Sequence, residues 1–255
     1  KKISIIWQEL GIESIGELLY AVNENRLIEL KGFGVKTQED LRQKLEYYQK
    51  SKGLYHHATL LAEAERLISL LTQAIPGIRV ATTGALRRAT NTAEAVSLLI
   101  GTDQPIRDQL APLFTEWEVL GADSFRAKSE RDFPVHLFVT QTAHWGREQF
   151  KHTAAEAFRT ALQVEVIPDK ATEAEVFASL DLPYIAPELR ESSWGLELAR
   201  QNRLPELLEI TDIKGVVHSH TTYSDGLNTL EEMATYARNE GFEYLVITDH
   251  SKAAF

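Results

Sequence analysis

The sequence predicts an α+β protein of several domains, and three features of its pattern lead to that prediction. Apolar residues recur at helical spacing up to residue 71, alternation typical of strands begins at residue 78, and a strand–helix–strand unit covers residues 213–250. That last unit implies parallel strands, because parallel strands need a crossover connection. We therefore expect domains over residues 1–53, 54–166 and 214–255, with residues 167–213 as a connecting segment.

Each element follows from local spacing. Helices are predicted over residues 3–10, 14–25, 37–51, 54–71, 154–163 and 228–241. Strands are predicted over residues 78–84, 93–102, 133–142, 213–222 and 244–250. Asn228 or Thr229 is expected to cap the last helix, and Gly241 to end it. Residues 181–193 are rich in turn residues and are predicted to be irregular.

Composition excludes several classes of protein. The chain of 255 residues contains no cysteine, which excludes disulfides, thiolate metal sites and cysteine nucleophiles and is typical of a cytoplasmic protein. No apolar run approaches the roughly 18 to 20 residues that cross a bilayer, so we expect no membrane partner. The formal net charge of −10 disfavours a generally basic surface, although local contacts with phosphate remain open. The sequence begins at Lys1 and its only methionine is Met233, which suggests a piece of a longer protein.

The stretch LIELKGFGVKTQEDLRQKL places two glycines between a short helix and a longer one. Such a hairpin exposes backbone amides beside a helix N-terminus, where phosphate is favoured, and Thr37 can cap the second helix. The stretch resembles a helix-hairpin-helix motif, which implies binding of the DNA backbone without regard to sequence. The residues concerned are Lys31, Gly32, Phe33, Gly34, Lys36 and Thr37. The alternative is a plain helical turn in which the glycines only permit positive φ.

The stretch VATTGALRRATNTAEAVSLLIGT combines a strand, a glycine turn, paired arginines and a second strand. It resembles the nucleotidyltransferase palm of the family X DNA polymerases, in which Gly-Ser-x-Arg-Arg-Gly precedes a strand bearing Asp-x-Asp. The resemblance implies a palm with a mixed sheet. Gly84, Arg87 and Arg88 match the pattern and are candidates for weak phosphate binding. For the two arginines, a surface position or a role in packing the palm is at least as strong an alternative.

The three positions that the resemblance assigns to metal-binding aspartates carry other residues. They are Ala95, Ser97 and, on a later strand, His136. Magnesium prefers carboxylate oxygens, and one histidine replaces them poorly, so we expect neither magnesium nor polymerase activity in this palm. Glu94 is expected to face away from Ala95, and Asp103 to lie past the end of the strand. Where the family has Tyr-Phe-Thr-Gly-Ser along the nucleotide pocket, residues 151–155 read KHTAA.

The stretches GVVHSHTTYSDG and VITDHS contain possible metal ligands. Residues i and i+2 of a strand share a face, so His218 and His220 can reach one metal cluster, and Asp225 follows in the next turn. Asp249 and His250 end the neighbouring strand. His-x-His, Ser-Asp-Gly and Thr-Asp-His in this order resemble the first motifs of the PHP (polymerase and histidinol phosphatase) phosphoesterases. The resemblance implies the first βαβ unit of a β/α barrel with a zinc or manganese centre. Its ligands here would be His218, His220, Asp225 and His250.

Taken in order, these stretches resemble bacterial family X DNA polymerases with a C-terminal PHP domain, truncated at both ends. Residues 167–213 would then be a fingers-like segment and connector. We expect the PHP part to be incomplete and to hold no metal within this chain. Four other histidines lack a partner at ligand spacing and are expected at the surface or in packing; they are His56, His57, His144 and His152.

Three functions remain open at this point. The first is a repair-type protein that binds DNA through the hairpin, is inactive in the palm and processes DNA 3′ ends through its PHP part. The second is a non-catalytic DNA-binding module. The third is a PHP phosphatase acting on a small ester such as histidinol phosphate, which the hairpin disfavours. Whether the chain is itself an enzyme, and which proteins it binds, the sequence leaves undecided.

Overall fold

The computed structural model describes residues 2–254, and these divide between Arg203 and Leu204 into two units. The division falls inside the segment that the sequence predicts as a connector. The first unit contains helices and a five-stranded sheet, and the second contains two strands and one α-helix. No helix among the described residues is both long and apolar enough to cross a membrane. The α+β class predicted from the sequence is confirmed.

Helices form the beginning of the first unit. They are α1 (Lys2–Leu10), α2 (Ile15–Asn23), a 3₁₀ turn (Arg26–Glu29) and α3 (Val35–Ser51). α2 starts at a capping box, in which Ser14 Oγ accepts a hydrogen bond from Glu17 N at 3.2 Å and the Glu17 carboxylate accepts one from Ser14 N at 3.1 Å. The apolar sides of these helices close a small core that fully buries Ala21, Val22 and Leu27.

A mixed sheet forms the centre of the first unit. Its five strands are β2 (Arg79–Thr82), β4 (Val96–Gly101), β5 (Thr115–Val119), β6 (Ser124–Lys128) and β7 (Pro134–Thr140). Two further strands, β1 (Tyr55–His56) and β3 (Thr92–Ala93), form a separate pair. The sheet has the order β2–β4–β7–β6–β5, in which only β4 and β7 run parallel. The long helix α4 (His57–Ala74) packs Leu60, Leu67 and Leu71 against one face of it.

The sheet differs from the prediction at two places. The predicted strand 93–102 is split, because Glu94 and Ala95 form a bend between β3 and β4. The β5–β6 hairpin lies in a stretch for which the sequence predicts no strand. Four of the five residues of β5 are exposed, so the strand lacks the apolar alternation that would indicate it.

Short helices surround the sheet. They are α5 (Gly84–Arg87), α6 (Arg107–Leu110), α7 (Trp145–Thr153), α8 (Glu156–Leu162), α9 (Glu173–Ala178) and α10 (Ser193–Arg200). α7 lies on the sheet face opposite to α4, and its Trp145 ring packs so closely on Gly101 that no larger residue would fit there. Of the last four helices the sequence predicts only α8. The segment 181–192 is irregular, as predicted, except for a 3₁₀ turn at Pro187–Leu189.

A buried arginine holds this irregular segment. Arg190 is fully buried, and its Nε donates to the carbonyl of Ile185 at 2.8 Å, while a terminal nitrogen donates to Glu173 at 2.5 Å. The guanidinium also lies over the rings of Phe177 and Tyr184, at 4.8 and 5.2 Å from their centres. Since a buried cation needs a partner, these contacts fix the segment against α9.

The second unit is a parallel strand–helix–strand arrangement, as predicted. It consists of β8 (Gly215–Ser219), α11 (Leu230–Asn239) and β9 (Tyr244–Ile247), with 3₁₀ turns at Ile210–Asp212 and Lys252–Ala254. Thr229 caps α11 by accepting a hydrogen bond from Glu232 N at 3.3 Å. The pairing of β8 with β9 is irregular between Val216 and Ser219, where His218 has a φ of +62°.

Candidate functional site

The hairpin between α2 and α3 presents a polar, exposed backbone on a buried anchor. Phe33 is only 7% exposed and fixes the turn to the helical core, whereas Lys31, Gly32, Gly34 and Lys36 are exposed. Gly32 has a φ of +89°, a conformation that glycine adopts without strain. No side chain among residues 2–254 caps α3, which leaves its first amide groups open to a phosphate group.

The prediction that Thr37 caps α3 is wrong. The helix begins at Val35, so its N-cap is Gly34, which has the extended backbone of an N-cap residue. Thr37 therefore lies in the first helical turn and is half-buried. Glycine has no side-chain oxygen that could accept a hydrogen bond from the first amide groups of the helix. This helix start is therefore more accessible to an anion than it would be with a threonine cap.

Two of the three palm positions lie side by side on the face of the sheet that does not pack against α4. Ser97 of β4 and His136 of β7 are direct partners in the parallel register, so their side chains lie side by side. Ala95 is buried, and Gly84 approaches Ser97 so closely that a β-carbon at position 84 would lie 3.4 Å from the Ser97 side chain. The three positions thus carry a methyl group, a hydroxyl group and an imidazole.

The surroundings of His136 favour its neutral form. Burial, followed by the positive charge of Arg126 on the neighbouring strand, lowers the pKa of His136, and the negative charge of Glu94 opposes them. Glu94 is therefore near enough to act on the imidazole. The prediction that Glu94 faces away assumes a continuous strand, whereas the bend at Glu94 and Ala95 interrupts the alternation.

The two arginines after Gly84 are engaged within the unit. Arg87 pairs with Glu173 at 2.5 Å and donates to Thr153 Oγ1 at 2.7 Å. Arg88 pairs with Glu191 at 2.9 Å and donates to the Thr153 carbonyl at 2.6 Å. Burial alone would raise the pKa of Glu173, but the hydrogen bonds and charges of its arginine partners outweigh burial and lower it. A phosphate at this turn would compete with carboxylates already in place.

Helix α7 carries a polar cluster that sequence reasoning missed. The Glu148 carboxylate lies 3.3 Å from His152 Nε2, 2.8 Å from Arg147 Nε and 3.3 Å from Lys151 Nζ. The hydrogen bond from His152 is the largest cause that brings the pKa of Glu148 to about 2; burial opposes it, and Arg147 and Lys151 add to it. The His152 ring also stacks on Phe138 with 3.8 Å between ring centres.

This cluster lines a groove of about 770 Å³ at the carboxyl ends of β4 and β7. At the same end, His144 Nδ1 lies 2.7 Å from Asp169. His144 and His152 therefore have carboxylate partners, contrary to the expectation that they only cover the surface or fill space. Glu148 and His152 stand at i, i+4, a spacing that would have indicated the pair had the helix been predicted.

Three of the predicted ligands of the second unit converge. One possible ligand atom from each of His220, Asp225 and His250 lies within 4.8 Å of the others. Asp225 is 3.3 Å from His220 Nδ1 and 3.7 Å from His250 Nε2, and the centres of the two rings are 4.7 Å apart. The Nδ1 atom of His220 is buried, and no described residue forms a hydrogen bond with it in spite of the nearby carboxylate.

His218, the fourth predicted ligand, lies beside this group. Its ring centre is 5.4 Å from that of His220, and its ligand atoms are outside the set that lies within 4.8 Å. The positive φ of His218 and the register irregularity turn the strand at this point, so the simple i, i+2 rule does not hold. Asp249 directly precedes His250 in the chain. Hydrogen bonds from Thr221 and Ser224 lower the pKa of its carboxyl group.

Comparison with known proteins bears on the fold of the chain. An α+β arrangement with a five-stranded mixed sheet is consistent with a polymerase-type fold. The chain is similar to the DNA polymerase/3'-5' exonuclease PolX of Bacillus subtilis (strain 168), with 30% identity over an alignment of 281 positions. The alignment covers 99% of this chain and 48% of PolX, so the chain spans about half the length of that relative. No family model matches the sequence.

Proposed function

We propose that the chain is the DNA-positioning part of a DNA-processing protein whose palm no longer incorporates nucleotides and whose chemistry is metal-dependent hydrolysis of DNA 3′ ends. One observation carries the proposal. Side chains without a carboxylate occupy the palm positions Ala95, Ser97 and His136, whereas His220, Asp225 and His250 converge in the second unit.

The palm residues do not fit a magnesium pair. Magnesium binds oxygen ligands in a strict octahedral geometry, usually through carboxylates. Here a neutral imidazole and a hydroxyl group face each other across β4 and β7, and a neutral imidazole suits zinc, copper or iron better than magnesium. Nucleotidyl transfer by the two-metal route therefore lacks its ligands at these positions.

The second unit fits a divalent metal better. Two imidazoles and one carboxylate form a ligand set that zinc and manganese accept. The buried Nδ1 atom of His220, which lacks a hydrogen bond within the described residues, is the state expected of a ligand atom that a cation would satisfy. When bound, such a metal supplies an activated water for phosphoester hydrolysis. Asp225 lies close to both histidines, so the three side chains could hold one metal together.

The hairpin supplies the contact with DNA in this proposal. Contacts with phosphate oxygens position a protein on DNA without reading its sequence. Lys31 and Lys36 flank the open amide groups at the start of α3, and they give a local positive charge on a chain whose net charge is −10. Binding is therefore expected to be weak, local and sensitive to salt.

A second candidate function is a non-catalytic DNA-binding module. Two observations favour it: Arg87 and Arg88 are already paired with carboxylates, and among residues 2–254 only three ligand side chains form a metal cluster. This candidate differs from the first only in the absence of hydrolysis.

Two assays on the complete product of the gene test the proposal. The first measures nucleotide incorporation on a gapped duplex with magnesium or manganese, for the unchanged protein and for an Ala95→Asp, Ser97→Asp, His136→Asp variant. Incorporation by the unchanged protein would show that other acids support polymerase activity.

The second assay measures release of nucleotides from 3′-labelled DNA with manganese or zinc, with His220→Ala as the control. Release that depends on His220 supports the exonuclease proposal. Binding of DNA without release would leave the non-catalytic module.

A further inference from the structure

The carboxylate of Asp249 connects the end of β9 to the turn that follows β8. Its two oxygens accept three hydrogen bonds: from Thr221 N at 2.6 Å, from Thr221 Oγ1 at 2.6 Å and from Ser224 Oγ at 2.7 Å. Asp249 precedes His250 in the chain, and the turn that it holds runs between His220 and Asp225. One side chain thus connects the segments that carry all three clustered metal-ligand groups.

The turn itself is built around Thr221. Thr221 is fully buried, its carbonyl accepts hydrogen bonds from Ser224 N and Gly226 N at 3.0 Å each, and its hydroxyl accepts one from Tyr223 N at 3.1 Å. Gly226 has no room for a side chain, because a β-carbon there would collide with the His220 carbonyl group and Thr221 N. The position of Asp225 therefore follows from the position of Thr221, and Thr221 is held by Asp249.

Asp249 is poorly placed to be a ligand itself. Both of its oxygens already accept hydrogen bonds, and its carboxylate is outside the group formed by His220, Asp225 and His250. Residues that orient metal ligands through hydrogen bonds typically change metal affinity about 10- to 100-fold when they are replaced. An effect of that size, without direct contact, distinguishes a positioning residue from a residue that only stabilises the fold.

We infer that Asp249 is a positioning residue: it fixes the turn 221–226 to the end of β9 and thereby keeps His220, Asp225 and His250 beside one another. The inference rests on the proposed metal site and names one further residue on which that site depends. It concerns the geometry of the side chains, so it makes a prediction both with and without metal.

The test compares the unchanged chain with Asp249→Ala, Asp249→Asn, Ser224→Ala and the control Asp212→Ala. Asp212 is an exposed acid of the same unit that accepts one backbone hydrogen bond, from Glu209 N at 2.8 Å. Zinc affinity is measured by titration calorimetry, with His250→Ala to identify heat from this site. Without metal, the nuclear Overhauser effect between the rings of His220 and His250 reports their proximity.

The inference predicts that Asp249→Ala loses the ring-to-ring effect and binds zinc about 10-fold more weakly or worse. Asp249→Asn keeps one accepting oxygen and should lose less, while Asp212→Ala should match the unchanged chain. If Asp249→Ala fails to fold, Ser224→Ala removes a single donor and should still weaken zinc binding about threefold.

Unchanged zinc affinity together with a retained ring-to-ring effect in Asp249→Ala, or in Ser224→Ala if only that variant folds, would overturn the inference. If the unchanged chain binds no zinc, the proposed metal site fails, and the ring-to-ring effect alone decides the role of Asp249. Absence of that effect in the unchanged chain would also overturn the inference.

Discussion

Ser97 and His136 are direct register partners on β4 and β7, the only parallel pair of the five-stranded sheet. Side chains at such partner positions point to the same face of the sheet. Two carboxylates at these positions would therefore share one ion, while the present pair offers a hydroxyl group and an imidazole.

A first prediction follows from this pairing. A Ser97→Asp, His136→Asp variant should be destabilised without metal, because two like charges face each other, and stabilised again by magnesium. At a magnesium concentration tenfold above Kd the gain is about 1.4 kcal/mol, which corresponds to a rise in Tm of about 3 to 5 °C. Thermal melts with and without magnesium measure it. The unchanged chain and Ser97→Asp alone should show no such rise, and equal magnesium responses in all three would contradict the prediction.

The second prediction concerns Glu173, which pairs with both Arg87 and Arg190. Glu173→Gln leaves the fully buried Arg190 without an anion, so the free energy of unfolding should fall by about 3 to 5 kcal/mol. Urea unfolding at neutral pH measures the change. The matched control is Glu191→Gln, which removes the partner of Arg88 from a half-exposed site and should cost less than about 1 kcal/mol. Similar losses for the two variants would show that burial does not govern these pairs.

The third prediction is a pH dependence caused by Glu148. Its pKa is about 2 in the folded chain and has the ordinary value of 4.5 in the unfolded chain. The carboxylate therefore stabilises the fold fully above pH 4.5. As the pH falls from 4.5 towards 2, the folded chain takes up the proton less readily than the unfolded chain, and this stabilisation is lost. Glu148→Gln should therefore flatten the dependence of unfolding free energy on pH in that window. Gln141→Ala, which removes no ionisable group, should keep the full slope; an unchanged slope in Glu148→Gln would refute the assignment.

The fourth prediction addresses the hairpin. Lys36 is exposed in the first turn of α3, and Lys36→Ala should weaken DNA binding equally for unrelated sequences. The slope of log K against log salt concentration should become shallower by about 0.9, the amount expected for one phosphate contact. Fluorescence anisotropy over a range of salt concentrations measures both. Lys44→Ala removes the same charge from an exposed position further along α3 and should change neither; equal effects of the two variants would point to general charge rather than to the hairpin.

The sequence predicts those elements in which buried and exposed residues follow a regular pattern. β4 is almost entirely buried and β7 alternates, so both were recognisable from the sequence. β5 was not, because Trp117 is its only residue that is not exposed. In the same way, Thr229 was recognisable as a cap, whereas Gly34 took the place expected of Thr37 because a glycine N-cap has no side-chain signal.

The same distinction between local and distant signals applies to the candidate site residues. His220, Asp225 and His250 could be proposed because short motifs place them at strand ends, and their approach to one another is a property of the parallel βαβ arrangement. The partners of Arg87 could not be proposed, since Glu173 lies 86 residues away and neither residue has a local pattern that names the other. The role of Asp249 depends on three hydrogen-bond donors in a turn whose shape no pairwise spacing defines.

The contacts of Arg190 determine at which residue a shortened protein that contains only the first unit should end. A shortened protein that stops at residue 166 would lose this guanidinium, and the ring of Phe150 would face water without the α9 side chain Phe177 against it. Such a protein is expected to aggregate, because exposed aromatic surface favours association. A protein that runs to Arg203 keeps the arginine, its anion and its aromatic neighbours together, and it is the length that we would choose for crystallisation or for measuring DNA binding by this unit alone.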